Sequence, residues 1–512
     1  MKKRALFSVS DKTGVCGFAR RAAELGYEIV STGGTQKALA EAGIPVINVS
    51  EVTGFPECLD GRLKTLHPSI HGGILAQRFN RDHMAQLEIH NIGLIDIVVI
   101  NLYPFKQTIL REGVLLEEAI ENIDIGGPTL IRAAAKNWPD VVVAVDPSDY
   151  EGILNQLENG GVPRERRFEL ACKVFEHTAH YDALIADYLH RQAGAGFPQT
   201  LTVTYEKAQE LRYGENPHQP AAFYREIGGL QGSVAKAEQL HGKELSFCNI
   251  NDAAAAVAVV KEFEQPCAVA VKHATPCGVG VGGSLPEAYT KAYDADPVSI
   301  YGGIVALNRV CDAAAADEMA KTHLDIIIAP GYTDEALETL TKKKNVRILL
   351  LEDICEPIPE NALDFKKVQG GLLVQGVDRA PFDPESLKIV TKRAPSPGEL
   401  DAMNFAWRVC KHVKSNAIVL AQGGMTTGIG PGQVNRVTAA DIAIRYAGDR
   451  AKGSVMASDA YFPFPDCVEA AGAAGVTAII QPGGSIRDQE SIDKADELNI
   501  AMVFTGERHF KH

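Results

Sequence analysis

Over the first 150 positions the apolar residues come in short blocks, and their period switches between that of a buried strand and that of a helix. Residues 4–9 (RALFSV) form an apolar run that predicts a buried strand. Val15, Phe18, Ala19 and Ala22 then fall at i, i+3, i+4 and i+7, which is one face of a helix. A second strand is predicted at EIVS, ending at Ser31, followed by a Gly-rich turn and a short helix. IDIVVIN (95–101) and DVVVAV (140–145) are further strand-type runs. Strands alternating with helices predict a parallel sheet covered on both faces. Residues 163–192 are polar with a helical period, and AGAGFPQ (193–199) has linker composition. The expected domains are therefore 1–197 and 198–512.

The second of these is also mixed α/β, with signs of a duplication into subdomains of about 200–365 and 385–512. CAVAVKHATPCGVGVG (267–282) and NAIVLAQGGMTTGIGPG (416–432) each run from an apolar strand through a turn into a G-x-G. Helical sequence follows both, and then another apolar segment near 298–307 or 454–457. The stretch between them, with KKK at 342–344 and PIPE at 357–360, would hold the connection.

Composition narrows the class. A chain of 512 residues exceeds what one hydrophobic core supports. No apolar run approaches the ~18 residues of a membrane span. The basic start (Met1–Arg4) meets Ser10, Asp11 and Lys12 too soon for a secretory h-region. The ten cysteines form no C-x-x-C pair, so free thiols and a cytoplasmic location are expected. The net charge of −14 argues against nucleic acid as a partner, because nonspecific binding there depends on basic surface. It does not exclude an anionic small molecule, whose site can be built locally.

Four clusters in the first domain could build one. Ser8-Val9-Ser10-Asp11-Lys12-Thr13-Gly14 lies where a strand passes into a helix, so free N–H groups, hydroxyls and a lysine converge. The Walker A spacing is absent, and the segment also reads as an ordinary N-cap with a solvated lysine. Ser31-Thr32-Gly33-Gly34-Thr35 repeats the arrangement at the next strand end. Two such loops at carboxyl ends of parallel strands mark the usual ligand crevice. Asp60-Gly61-Arg62-Leu63-Lys64-Thr65-Leu66-His67-Pro68 is dense in cations and donors. Asp124-Ile125-Gly126-Gly127-Pro128 opens a helix carrying Arg132 and Lys136, which could equally cover an exposed face.

Taken in order, these motifs carry a resemblance. SVSDKTG, STGGT, LDGRLKTLHP, NLYPF and ENIDIGGPTLIRAAAKN resemble the IMP cyclohydrolase domain. LRYGENPHQ, VKHATPCG, DIIIAPGY, KSNAIVLA, GIGPGQ, SDAYFPFPD and MVFTGERHFKH resemble AICAR transformylase. The chain is thus similar, over essentially its whole length, to the bifunctional family that completes the purine ring. That resemblance implies a methylglyoxal-synthase-like parallel-sheet domain followed by a duplicated cytidine-deaminase-like α/β domain. It implies formyl transfer from 10-formyltetrahydrofolate to AICAR, then dehydrative closure of formyl-AICAR to IMP, with no tightly bound cofactor, no catalytic metal and a homodimer.

For the cyclohydrolase the resemblance implies nucleotide contacts at Ser10, Lys12, Thr13, Ser31, Gly33, Gly34, Thr35, Arg62, Thr65, Gly126 and Gly127. It implies catalysis by Lys64, Tyr103, Asp124 and Lys136. An amide nitrogen is a weak nucleophile, so ring closure needs a proton acceptor and donors at the developing oxyanion, and these residue types supply both. For the transformylase the implied catalytic pair is Lys272 and His273, with His273 as base. Implied AICAR contacts are Arg212, Tyr213, Asn249, Tyr301, Gly302, Asp325, Asn416 and Arg508, the last suited to phosphate. Implied folate contacts are Arg436, Phe462, Pro463, Phe464 and Asp466, although YFPF also reads as core.

The sequence departs from the family pattern in places. Asn435 stands where serine is expected, Tyr301 where phenylalanine is, Phe247-Cys248 where Tyr-Asn is, and Cys467 where glycine or asparagine is. A zinc deaminase would need H-x-E and P-C-x-x-C, and Pro276-Cys277 has no cysteine three residues on. A purely nucleotide-sensing first domain would need only the phosphate loops, so Tyr103, Asp124 and Lys136 favour an enzyme.

Overall fold

Arg4–Val9 forms a strand whose apolar residues are almost wholly buried, as an interior parallel strand requires. The computed structural model describes residues 2–512. The strand sits at the centre of a five-stranded sheet in the order Ile47–Asn48, Glu28–Ser31, Arg4–Val9, Ile97–Asn101, Val142–Ala144, with every pairing parallel. The helix Val15–Glu24 buries Val15, Phe18, Ala19 and Ala22, the face its sequence marks out. Phe18 sets its ring edge-on to Phe7 and Tyr150 at 5.7 and 5.2 Å, tying that helix to the sheet. The strand order reverses on either side of Arg4–Val9, so a crevice opens at the carboxyl ends of Arg4–Val9 and Ile97–Asn101. The 29-residue helix Arg164–Gln192 buries a stripe from Leu170 to Leu184. The first compact unit ends at Tyr205 and the second runs from Glu206 to His512.

The second unit is built on one twelve-stranded sheet made from two copies of one element order. In each copy a 14-residue helix leads into a hairpin, a crossing helix and three further strands. The helices are Phe247–Val260 and Pro397–Cys410, both opened by a capping box, at Ser246 and Ser396. The hairpins are Cys267–Lys272 with Thr275–Val281, and Ile418–Gln422 with Met425–Gly430. The next strands, Gly303–Leu307 and Val455–Ser458, pair antiparallel with the first hairpin strand and parallel with Leu324–Ala329 and Ala478–Gln481. The copies join edge to edge where Gly280 pairs with Met425. One core, including Val257, Trp407 and Met403, is common to both halves, while the other faces carry separate cores around Ala292 and Ala443.

The two G-x-G motifs have one explanation. A Cβ on Gly278 or Gly280 would lie 2.0 Å from the Ala292 carbonyl oxygen or 2.3 Å from that of Ala288. On Gly428 or Gly430 it would lie 2.0 Å from the oxygen of Ala443 or 1.9 Å from that of Ala439. Each motif is therefore a place where strand and helix backbones touch, which only glycine permits. Gly278→Ala is expected to destabilise the second unit by about 1–3 kcal/mol or more, because the obstacle is backbone. Gly398, with open space around its Cβ position, is the control and should tolerate alanine. Urea midpoints of the two variants check this; equal midpoints would contradict it.

Candidate functional site

In the first unit the side chains gather at the crevice. The Ser10–Gly14 loop is fixed by Asn101, whose Oδ1 accepts the N–H of Ser10 at 2.6 Å and of Asp11 at 2.9 Å, while its Nδ2 donates to the Asp11 carbonyl at 2.8 Å. Thr13 donates both its amide and its hydroxyl to Asp11 Oδ1, and these bonds hold the Asp11 carboxyl below the usual range. Lys12 Nζ rests against the carbonyls of Val9 and Ser10 at 3.5 and 3.4 Å. It also lies 3.8 Å from the Cβ position of Gly34, while Lys64 Nζ lies 3.5 Å from that of Gly33. Two ammonium groups thus converge on the N-terminus of the helix Gly33–Glu41, where an anion is favoured twice over.

Asp124 comes to the same place from just before the helix Gly126–Lys136. Its Oδ1 accepts the Gly127 N–H at 2.8 Å and its Oδ2 the Tyr103 N–H at 3.4 Å, and its own N–H donates to the Tyr181 hydroxyl at 2.9 Å. Burial raises the Asp124 pKa; the N–H groups of Gly127 and Tyr103 and the charge of Lys64 oppose this without cancelling it. Lys64 Nζ also pairs with Glu57 at 3.4 Å. Thr65 is buried with its hydroxyl 3.2 Å from the Cβ position of Gly126, so that glycine leaves room at the helix start. Tyr103 is 43% exposed.

Other expected residues are placed differently. Lys136 closes the helix Gly126–Lys136 that Asp124 precedes, about 15 Å along the axis from its start, and is exposed there. Arg62 is exposed and paired with Glu121. Ser31 is buried and donates to the Phe7 carbonyl at 2.8 Å, and Thr35 Oγ1 bonds both the amide and the carbonyl of Val9 at 3.0 Å. These two hydroxyls shape the turn from within. Asn101 stands inside the NLYPF motif and could have been singled out there. Tyr181, eleven residues from the end of a long polar helix, gave no local signal.

In the second unit Lys272 and His273 stand at a tight hairpin turn. Lys272 pairs with Thr275, so the turn has two residues, His273 and Ala274, both at φ 54°. This is the type I′ form, which demands positive φ twice and normally recruits asparagine and glycine. His273 is exposed, and Lys272 Nζ donates to the Tyr301 carbonyl at 2.9 Å. The Tyr301 ring lies 5.3 Å from that of His323, the Gly302 N–H donates to the His323 carbonyl at 2.7 Å, and His323 Nε2 lies 3.5 Å from Asp325. Tyr301, Gly302 and Asp325 therefore surround one histidine that sequence reasoning missed. A pocket of about 200 Å³ opens beside Lys272 and His273, walled by Asp296, Thr426, Pro431 and Tyr446. Cys277 also faces it, but burial, with Asp296, pushes that thiol up to about 12, and it donates to the Ala270 carbonyl.

The remaining residues divide into exposed and internal. Arg212, Tyr213, Arg508, Pro463, Phe464 and Asp466 reach solvent to different extents. The guanidinium of Arg508 lies over Phe510, and that of Arg487 over Phe464, each at 4.6 Å. Asn249 is internal, its Oδ1 committed to the Ser246 N–H in the capping box. Phe462 is fully buried in the core around Ala443, so the core reading of YFPF holds for this ring. Arg436 is 7% exposed and braced by Asp459, Ser458 and the Oδ1 of Asn416, which itself bonds Gln433. Phe462, Arg436 and Asn416 brace the second copy, while Asn249 fixes the start of its own helix in the first. Of the departures, Asn435 caps its helix by accepting the Thr438 N–H, as serine would, and Cys467 is buried core. Among the described residues no group of three or more His, Cys, Asp or Glu could hold a metal ion.

The sequence matches known proteins along its length. The family model described as AICARFT/IMPCHase bienzyme matches residues 134–446, and that described as MGS-like domain matches residues 14–129. The chain is 61% identical over 514 residues to the bifunctional purine biosynthesis protein PurH of Acetivibrio thermocellus, covering 100% of both chains. It is 60% identical to the proteins of that name from Ruminiclostridium cellulolyticum, over 514 residues and 100% of both, and Bacillus subtilis, over 511 residues and 100% and 99% of the two chains. A solved structure, the crystal structure of ForH, aligns with 36% of this chain and 95% of its own at 37% identity and a TM-score of 0.33.

Proposed function

The chain belongs to the AICARFT/IMPCHase bienzyme family, and on that basis we propose how it performs AICAR formyl transfer and IMP ring closure, the last two steps of purine synthesis. Ring closure belongs to the first unit, about residues 1–197. The nucleotide phosphate sits on the Ser10–Gly14 loop and the Ser31–Thr35 turn, drawn by Lys12 and the free N–H groups of that helix start. The carboxamide nitrogen of formyl-AICAR attacks its own formyl carbon. Asp124 accepts the nitrogen's proton, helped by burial that makes it more basic than an ordinary carboxylate. Lys64 stabilises the oxyanion on the former formyl oxygen, and Tyr103 assists proton transfer as water leaves. Lys136, at the far end of the helix that Asp124 precedes, is the fourth residue proposed for this chemistry.

Formyl transfer belongs to the second unit, about 198–512, with formyl-folate as co-substrate. We assign the donor as 10-formyltetrahydrofolate, bound only transiently. Lys272 polarises the formyl oxygen, the AICAR amine attacks the formyl carbon, and His273 takes the proton that the amine loses. The formyl–N10 bond then breaks, N10 takes up the proton held by His273, and neutral tetrahydrofolate leaves. Tyr301, Gly302, Asp325 and His323 offer the adjoining contacts for AICAR, Arg212 and Arg508 suit its phosphate, and Pro463, Phe464 and Asp466 suit the pterin. The doubled topology suits a cytidine-deaminase-like ancestry in which no zinc is kept. A homodimer in the cytoplasm completes the proposal; no helix among the described residues is long and apolar enough to cross a membrane.

The observation that carries the two-site reading is that each compact unit gathers its own catalytic-type side chains: Lys64 and Asp124 in one, Lys272 and His273 in the other. A fragment ending at Tyr205 should therefore fold alone and cyclise formyl-AICAR without folate. A folded, soluble fragment with no cyclisation activity would count against it.

A further inference from the structure

The duplication supplies an internal control for the turn that carries His273. Ser246 and Ser396, His273 and Gly423, and Ala274 and Gly424 each stand 150 positions apart, in matching places of the two copies. The second hairpin makes the same two-residue turn with Gly423 and Gly424, at φ 60° and 76°, where glycine adopts positive φ at no steric cost. The first makes it with a histidine and an alanine, which resist that conformation. Something must hold it there.

The holding group is a carboxylate. The Asp252 carboxylate, from the helix Phe247–Val260, accepts the His273 N–H on Oδ2 at 3.0 Å and the Ala274 N–H on Oδ1 at 2.8 Å. Each oxygen takes one of two successive N–H groups, a paired charge-assisted arrangement. The matching position in the second copy, 150 residues on, is Ala402. So the carboxylate is present where the turn is strained and absent where glycine makes it unnecessary.

Resting on the assignment of His273 as the base for formyl transfer, we propose that Asp252 is the positioning residue of that site: its carboxylate clamps the His273–Ala274 turn in the left-handed conformation that presents His273 and Lys272 together. Asp252 touches no reacting atom in this role. Its effect falls on kcat, because an unclamped turn misplaces the base, and not on the KM for AICAR, whose contacts lie elsewhere.

Asp252→Ala in the full chain should lower transformylase kcat by about 10–100-fold, with the KM for AICAR changed less than about threefold and cyclohydrolase turnover unchanged. Amide exchange of a peptide spanning the turn, followed by mass spectrometry, should speed up. Ala274→Gly, placed on top of Asp252→Ala, removes one of the two strained positions and should restore most of the lost turnover. Ala274→Gly alone should be close to the unaltered enzyme. Unchanged exchange and turnover in Asp252→Ala would overturn the clamp, as would a loss that Ala274→Gly does not relieve. Faster exchange with unchanged turnover would overturn the positioning role, since the turn would have loosened at no cost to catalysis, and would leave the role of His273 to be read from His273→Ala.

Discussion

His273→Ala is expected to lower transformylase turnover by roughly 10²–10⁴-fold, the range for losing a positioned proton acceptor. The amine of AICAR is conjugated to its ring and carboxamide, so it attacks only as its proton departs, and the exposed His273 is the proposed acceptor of that proton. Binding of AICAR should change far less, since its phosphate is assigned to arginines on other segments. Lys272→Ala should also be severe, through loss of the cation at the formyl oxygen. The double variant should fall short of the product of the two single effects if the pair acts as a unit. Cyclohydrolase turnover should persist in all three, because Lys64 and Asp124 lie in the other compact unit. The measurement is turnover at saturating AICAR and 10-formyltetrahydrofolate; near-equal values for the unaltered enzyme and His273→Ala would reduce the Lys-His pair to a strand end.

What the sequence made legible was local period and local chemistry. The face Val15, Phe18, Ala19 and Ala22 follows from spacing alone, and all four residues are buried. The Gly33-Gly34 turn follows from its composition, and the structure adds that Lys12 and Lys64, from two other segments, meet there. The parallel first sheet was likewise readable from strands alternating with helices. Burial was not readable. Phe462 and Phe464 differ by two positions in one aromatic motif, yet one is fully buried and the other 48% exposed. Arg436, a folate contact by the family resemblance, is nearly buried and ion-paired with Asp459, which arrives from another strand end. Lys136 shares a motif with Asp124, but an intervening helix separates the two. Asp252 had no motif of its own. Its meaning lies in the comparison of two hairpins, which needs the turn conformation of each.

The cyclohydrolase offers a test in which pH reports the residue. Asp124→Asn should lower ring closure by roughly 10²–10⁴-fold, since the amide keeps the shape but cannot accept a proton. It should leave formyl transfer unchanged. Burial raises the Asp124 pKa, and the opposing N–H groups and Lys64 do not bring it back to the ordinary value. A base works only when deprotonated, so cyclohydrolase kcat should fall as pH drops through that raised value. The acid limb should therefore begin at a higher pH than an ordinary carboxylate would give. Lys64→Ala removes the positive charge that helps keep Asp124 ionised, so besides its own loss of rate it should move the acid limb to still higher pH. Asp124→Asn should abolish the limb in whatever rate remains. An acid limb that persists in Asp124→Asn would transfer the proton to another group, and a limb that moves to lower pH in Lys64→Ala would show that the lysine and the carboxylate do not share one site.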